Sequence, residues 1–470
     1  MSLDLAADEF RRLAAEAVRI AAEYLESLPS RPSFPPHLAG RELAAALGEP
    51  LPEAGCGVAA LDAVARLFDS SRPNSPRFFA YVMGSGEPVA AAGDLLASVL
   101  NQNVTSWRSA PAAATIERLV IGWLGEAIGC PGFSGSLTGG GSAANLMALA
   151  MARESRAPAN TGGAQPAVVY CSAEAHMSIA KAMALLGLGR GNLRSIPVDA
   201  QFRMEPAALE EAIREDGSAG RRAIAVIATA GTVNTGALDP LIEIAAIARR
   251  HDLWLHVDGA YGALAAIADA ERFAGMAQAD SITLDPHKWL YQPLDCGCVL
   301  YRDPAAARAA FAGTGDYARS LYDGAVEGFE FFEESPELSR RFRALKLWLS
   351  LRYHGLGAFR EAIVRDLQHA QDLAGMVDAE PALERVAPVE LSTVCFRYAG
   401  ADDDRNRAIL RRVIERGRVY LSNATIASRG VSNGDGRFAL RACFMNHRTK
   451  NEDVTAVVEE VLAAAEETGA

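Results

Sequence analysis

A lysine at the end of a short apolar run is the first feature of this chain that could do chemistry. Lys288 closes Ser281-Ile-Thr-Leu-Asp-Pro-His-Lys288, just past Ile282 and Thr283 and beside Asp285 and His287. At the mouth of a buried strand an ammonium loses hydration, so the neutral amine becomes accessible near neutral pH and can attack an aldehyde to form a Schiff base. Upstream, Leu253-Trp-Leu-His-Val-Asp258-Gly-Ala260-Tyr-Gly262 reads as an apolar strand ending in a carboxylate, then residues small enough for a flat ring to lie on the backbone. A carboxylate there can hold a protonated ring nitrogen, the electron sink that a carbanion needs. In Ser136-Leu-Thr-Gly-Gly-Gly-Ser142 three glycines open a helix, and its free N–H groups with the Ser142 hydroxyl suit a phosphate. The run lacks the Gly-Lys-Ser/Thr ending of a nucleotide P-loop. His176 ends Ala167-Val-Val-Tyr-Cys-Ser-Ala-Glu-Ala-His176, at a helix start after a strand, where an imidazole could stack on a ring.

Each feature alone has an ordinary reading: a solvated lysine, a helix-capping Asp, a turn, a capping His. Their combination changes the odds. Pyridoxal phosphate (PLP) offers an aldehyde, a ring nitrogen and a phosphate, and the motifs provide a partner for each.

At this point the chain resembles the PLP-dependent amino-acid decarboxylases, the group that includes aromatic-L-amino-acid, histidine and glutamate decarboxylases. The resemblance rests on TGGGSAANLMAL, SAEAHMSIAKA, ATAGTVNTGALD, WLHVDGAYG, DPHKWL and SRRFRALKLWL, with Pro76 to Tyr81, Asn101 to Trp107 and Leu440-Arg441 besides. These motifs cover nearly the whole chain in the family's order. The resemblance implies a fold-type I PLP enzyme, with Lys288 as the Schiff-base lysine and Asp258 as the partner of the pyridine nitrogen. It implies ring stacking by His176, a cofactor and substrate contact by Thr229, a small Ala260 beside the ring, and phosphate binding by Gly140, Gly141, Ser142 and His287. It further implies a homodimer whose substrate pocket draws on Tyr81 and on Thr105 of the second subunit. Relatives often carry Asn where this chain has Asp285, and a carboxylate does not accept a phosphate comfortably unless a backbone group takes over that contact.

The elements that must position these residues fit an α/β architecture. Ala223 to Thr229 reads as a buried strand, Leu241 to Arg250 as a helix, Leu253 to Val257 and Ser281 to Leu284 as further strands. Such alternation predicts a mostly parallel sheet covered on both faces, with ligands beyond the carboxyl ends of its strands. His176, Thr229, Asp258 and Lys288 all fall at or after such ends. Residues 1–80 read as an N-terminal helical segment, with an amphipathic helix from Phe10 to Leu28 and a second near Glu42; an unpartnered apolar face there agrees with dimerisation. Residues 81–351 form the large PLP-binding domain. Residues 352–470 read as a small α+β domain, with helices Ala358 to Asp372 and Val454 to Glu466 and a strand at Thr393 to Arg397.

Composition excludes several classes. With 470 residues, 50% hydrophobic and 22% charged, the chain is an ordinary globular protein large enough for several lobes. A net charge of −12 and the absence of any Lys/Arg run argue against nucleic acid. No run of about eighteen apolar residues suggests a membrane span, and the N-terminus lacks the pattern of a secretion signal. Seven scattered cysteines, with Cys296-Gly-Cys298 lacking zinc-ribbon spacing, read as reduced thiols in a cytoplasmic protein with no metal site.

The resemblance implies that an L-amino acid, aromatic in first place and small polar or acidic in second, displaces Lys288 and loses its carboxylate as carbon dioxide. A quinonoid carbanion then takes up a proton to give the amine. Aromatic-type relatives carry a loop tyrosine nine residues before the paired arginines, and a gap-free count from Arg340 puts Phe331 in that place. A phenyl ring donates no proton. In some relatives that exchange accompanies oxygen-dependent conversion to an aldehyde, so an aldehyde synthase is the alternative product chemistry, with Tyr322 or His176 as the donor otherwise. An aminotransferase would need an arginine clamp such as Arg441. A PLP-binding relative without turnover is the non-enzymatic alternative.

Overall fold

The computed structural model describes residues 3–34, 40–313, 329–426 and 436–469. Seven strands make the large sheet: β1 Ser134–Thr138, β2 Val168–Ser172, β3 Leu193–Ile196, β4 Ala223–Thr229, β5 Trp254–Asp258, β6 Ser281–Leu284 and β7 Gly297–Tyr301. Their order is β1-β7-β6-β5-β4-β2-β3. From β6 through β3 the neighbours pair in parallel, while β7 runs antiparallel between β1 and β6. Strands β2, β5, β6 and β7 are buried at every residue, the continuous apolar reading of strands covered on both faces. On one face Met147 and Ala148 of the helix Gly141–Arg156 pack with Val169, Ile227 and Trp254. On the other, Ile244 and Ile247 of the helix Leu241–Arg250 pack with Val226, Leu255 and Val257.

A second sheet is wholly antiparallel, in the order β10-β11-β9-β8, from β8 Leu383–Arg385, β9 Thr393–Tyr398, β10 Ser422–Ile426 and β11 Arg437–Cys443. Helices Asp403–Arg416 and Asn451–Thr468 cover it through Ile409, Val413, Val457 and Val461. The backbone of Phe79 is stitched to this sheet, its N–H donating to Tyr420 O (2.9 Å) and its O accepting from Cys443 N–H (2.8 Å).

The strands expected at Ala223 to Thr229 and Ser281 to Leu284 and the helix Leu241 to Arg250 form with those bounds. The helix expected at Ala358 to Asp372 is the middle of a longer one, Ala344–Ala379, whose non-helical residue is Gly355 at φ 73° and ψ 155°. That backbone region suits glycine, so the chain passes residue 352 as helix and breaks at Gly355. The N-terminal segment contains helices Ala7–Ser27, Gly40–Leu47 and Ala60–Ser70. In the first only Ile20 is buried, while Phe10 is 42% and Val18 60% exposed.

One buried ion pair ties the front of the large sheet together. Arg340 is fully buried, donates to Val104 O (2.7 Å) and Ser136 Oγ (2.9 Å), and pairs with buried Glu117. Glu117 also accepts the Leu137 N–H at 3.1 Å, so the pair fixes β1 immediately before the glycine-rich turn. Removing one partner leaves an uncompensated buried charge. Glu117→Ala should therefore cost about 3–5 kcal/mol in urea unfolding, and the double variant Glu117→Leu/Arg340→Met should recover part of that loss.

Candidate active site

The loops at the carboxyl ends of the parallel strands enclose a cavity of about 290 Å³. Lys288, Asp258, His176, Thr229, Ala260, His287, Gly140, Gly141 and Ser142 all line it, as do Asn145, Asp285 and Leu294. Most residues singled out in the sequence are thus brought together.

Lys288 sits on a single helical turn, Pro286–Trp289, directly after β6. The rest of that turn is fastened from behind. Trp289 Nε1 (3.2 Å) and Tyr291 Oη (2.7 Å) both donate to Asp366 Oδ2, a carboxyl that burial pushes up to about 7. A Cβ on Gly84 would come within 2.3 Å of Lys288 O and 2.4 Å of His287 O, so only a glycine lets that segment lie against the turn. In front, Lys288 Nζ stands 3.1 Å from Asp285 Oδ2. His287 Nδ1 lies 2.7 Å from Cys296 O, a contact that requires the ring to donate there, and turns Nε2 to 3.6 Å from Asp285 Oδ2.

The glycine-rich turn follows β1. Gly140 takes φ 123° and ψ 171°, a conformation for glycine alone, and caps the helix Gly141–Arg156. A Cβ on Gly141 would meet Ala260 Cβ and Asp285 Oδ2, both at 2.9 Å. A Cβ on Gly297 would meet the Gly140 backbone at 2.4 Å, which accounts for the glycine between Cys296 and Cys298. The N-terminus of a 16-residue helix without a side-chain cap therefore lines the cavity at Gly141 and Ser142.

Asp258 ends β5 with Oδ2 accepting from Asn145 Nδ2 (2.8 Å) and Oδ1 from Ala260 N–H (3.2 Å). Asn145 also donates to Ser178 Oγ (2.9 Å), and its Oδ1 is 3.0 Å from His256 Nε2. His256 is fully buried, and burial pushes its imidazolium down to about 4. His176 caps the helix Met177–Leu185 through Nδ1, which accepts Ser178 N–H (3.2 Å) and lies 2.8 Å from Ser178 Oγ. Burial holds its pKa below the usual imidazole value, partly offset by Asp258. Thr229 is placed by Asp239, whose carboxylate accepts Thr229 N–H at 2.7 Å.

Asn145, Ser178, His256 and Asp239 escaped the sequence reading. A signal existed for one: Trp254, His256 and Asp258 alternate along β5 and so share a sheet face. Asn145, a polar residue among Ala, Leu and Met, was the other visible irregularity.

Three sequence-predicted substrate residues are not brought to this cavity within the chain. Tyr81, at φ 61° and half exposed, pairs its hydroxyl with Tyr420 (3.3 Å). Thr105 uses its carbonyl to accept Phe332 N–H at 3.1 Å. Phe331 is 3% exposed, with its ring 4.2 Å from the Arg340 guanidinium carbon and edge-on to Phe329. Within this chain the Phe331 ring is thus packed beneath a buried arginine and does not line the cavity. Tyr322 lies outside the described residues. Arg441 donates from Nε to Asn234 O (3.2 Å) and from Nη1 to Tyr81 O (3.1 Å), keeps Nη2 unpartnered, and does not line the cavity.

Residues 69–399 match the family model described as the pyridoxal-dependent decarboxylase conserved domain. The chain belongs to the pyridoxal-dependent decarboxylase family. It is 34% identical over 479 residues to the aromatic-L-amino-acid decarboxylase of Bacillus atrophaeus, covering 99% of this chain and 97% of that one. It is 35% identical over 370 residues to the 4-hydroxyphenylacetaldehyde synthase of Rhodiola rosea, covering 74% of each. The crystal structure of Oryza sativa TDC with PLP and tryptamine superimposes with a TM-score of 0.91 at 29% identity, covering 99% of both chains. The protein is therefore a fold-type I, PLP-dependent amino-acid carboxy-lyase. Its cavity fits that cofactor: about 290 Å³ is lined by Lys288, Asp258 and His176, and the buried Thr229 Oγ1 there has no hydrogen-bond partner.

The buried decarboxylase imidazole His256 gives a pH signature. Its folded pKa of about 4 lies below the ordinary 6.5, so the unfolded chain binds the extra proton first as pH falls. The stability held by neutral His256 is complete above about pH 6.5 and is lost progressively toward pH 4. Urea midpoints of wild type and His256→Gln measured across that window should converge as the pH is lowered.

Proposed function

We propose that this decarboxylase acts on an aromatic L-amino acid, releasing the amine and carbon dioxide, in a homodimer. The observation that carries the proposal is the convergence of Lys288, Asp258, His176, Thr229 and the glycine cradle on one cavity. Lys288 would hold the cofactor through Nζ, and Asp258 would take the ring nitrogen. His176 and Ala260 would flank the ring, and Thr229 Oγ1 would receive its partner from a ring oxygen or the substrate. Gly140, Gly141, Ser142 and His287 would hold the phosphate. Asp285 serves as counter-ion to Lys288, so the carboxylate needs no direct phosphate contact. Bound there, PLP supplies an aldehyde carbon for amines and an electron-accepting ring.

The chain's own groups do the rest. His176 orients the α-carboxylate, whose bond to Cα breaks as carbon dioxide departs, and a proton returns to Cα. Asp258, kept as an acceptor by Asn145 and Ala260, stabilises positive charge at the ring nitrogen. The aromatic substrate class is supported by the relatives' names, and true decarboxylation over aldehyde formation by the commitment of Phe331 to packing.

Dimerisation is supported by apolar surface with no cover: Phe10 and Val18 on the first helix, and Leu95, Leu96, Val99 and Leu100, each 48–59% exposed, on the helix Pro88–Leu100. Residues 1–80 would pack on the second subunit, which would contribute its Thr105 to the pocket mouth near the exposed Leu294. No helix among the described residues is long and apolar enough to cross a membrane, and all seven cysteines are free thiols, which supports a reducing, cytoplasmic setting.

The test is a product assay on PLP-loaded protein given the common amino acids with DOPA and 2,4-diaminobutyrate. Carbon dioxide with stoichiometric amine is expected, fastest with an aromatic substrate. Peroxide with ammonia would replace this reading by the aldehyde synthase, and no turnover on any substrate would leave a cofactor-binding protein. Lys288→Ala should abolish turnover. Asp285→Asn should slow cofactor reloading, followed by visible absorbance, by removing the charge that holds Lys288 in reach.

A further inference from the structure

Behind the cavity a row of buried polar groups has a fixed sense. Trp254 Nε1 lies 2.9 Å from Ser281 Oγ, and an indole nitrogen can only donate. The single hydroxyl proton of Ser281 is then available to His256 Nδ1, also at 2.9 Å. With Nδ1 accepting and the ring neutral, the His256 proton sits on Nε2 and points at Asn145 Oδ1. The amide's other side donates twice, to Asp258 Oδ2 and to Ser178 Oγ. Asp258 enforces the same orientation independently, because a carboxylate only accepts. Ser178 then passes its hydroxyl proton toward His176 Nδ1, the atom its own backbone N–H already faces. Trp254, Ser281, His256, Asn145 and Ser178 are all at most 4% exposed, so no water competes for these bonds.

We propose that these five side chains form a one-way hydrogen-bond relay that locks the ring proton of His176 on Nε2, presenting it to the cavity as a neutral donor for the substrate carboxylate. The proposal rests on the decarboxylase reading of the cavity and adds positioning residues to it. A relay with both ends agreeing has no frustrated link, and partners that fix a histidine tautomer at metal sites are worth about 10- to 100-fold in affinity or activity. The alternative His176 tautomer would turn a lone pair toward the carboxylate and set Nδ1–H against the Ser178 backbone N–H.

Neutron diffraction on deuterium-exchanged, PLP-loaded crystals reads the relay directly. Deuterium is expected on Nε2 and not on Nδ1 of both His176 and His256; deuterium on His176 Nδ1 alone would overturn the proposal. A crystal in which Lys288 carries no cofactor would instead count against the functional reading, leaving the two failures distinct. The variant Ser178→Ala, which removes the hydroxyl link to His176 Nδ1 and leaves Asn145 on Asp258, supplies a second readout. It should raise the substrate KM by about 10- to 100-fold while leaving the inhibition constant of the product amine, which has no carboxylate, within about threefold. Equal weakening of substrate and product would show that Ser178 only supports the fold and would sink the relay.

Discussion

The position of the whole site follows from the need to bury Asp258 at the end of a central strand. A carboxylate in that place must be paired by donors, and its nearest side-chain donor comes from Asn145, on a helix that crosses the same sheet face. To deliver that amide, the helix Gly141–Arg156 must lie directly on β5, and this fixes its N-terminus over the strand ends. The glycine-rich turn, the lysine turn and the His176 cap are then neighbours by construction. The anion cradle and the ring-nitrogen partner are two consequences of one packing decision.

Rigidity is distributed unevenly around this arrangement. The rear wall is held by charge and hydrogen bonds in dry surroundings: Asp366 under the lysine turn, Asp239 under Thr229, Glu117 with Arg340 under β1. The cavity side keeps unpaired acceptors at Thr229 and Asp285. Buried polar groups are normally satisfied, and two of the exceptions among the described residues, Thr229 Oγ1 and Asp285 Oδ1, belong to residues that line the cavity. Residues behind the site serve geometry, and those in front are left free for chemistry.

Much of this was legible in the residues themselves. Strands and helices around the site were readable because parallel strands buried on both faces are continuous apolar runs, and their ends coincided with the polar motifs. The ligand-facing residues were readable because cofactor chemistry restricts their types. The supporting residues were not, because Asn145, His256 and Asp239 take their meaning from partners distant in sequence, as with Asn145 and Asp258. Phe331 shows the limit of spacing. Counting from Arg340 assigned it a place by spacing, whereas its surroundings are set by the guanidinium packed on its face. The long helix Ala344–Ala379 shows why a boundary near residue 352 is hard to see: propensity carries the helix through, and only Gly355 marks the turn.

The glycine at position 84 has a consequence for anyone redesigning the enzyme. Its missing side chain lets one stretch of backbone rest on the carbonyls of His287 and Lys288. The lysine therefore cannot be shifted by reshaping its own turn alone, since the floor beneath it belongs to a segment running on from Phe79, which is sewn to the other sheet. Substrate scope in this scaffold is best altered at the rim, around Leu294, where side chains are exposed and the reactive amine's foundation stays untouched.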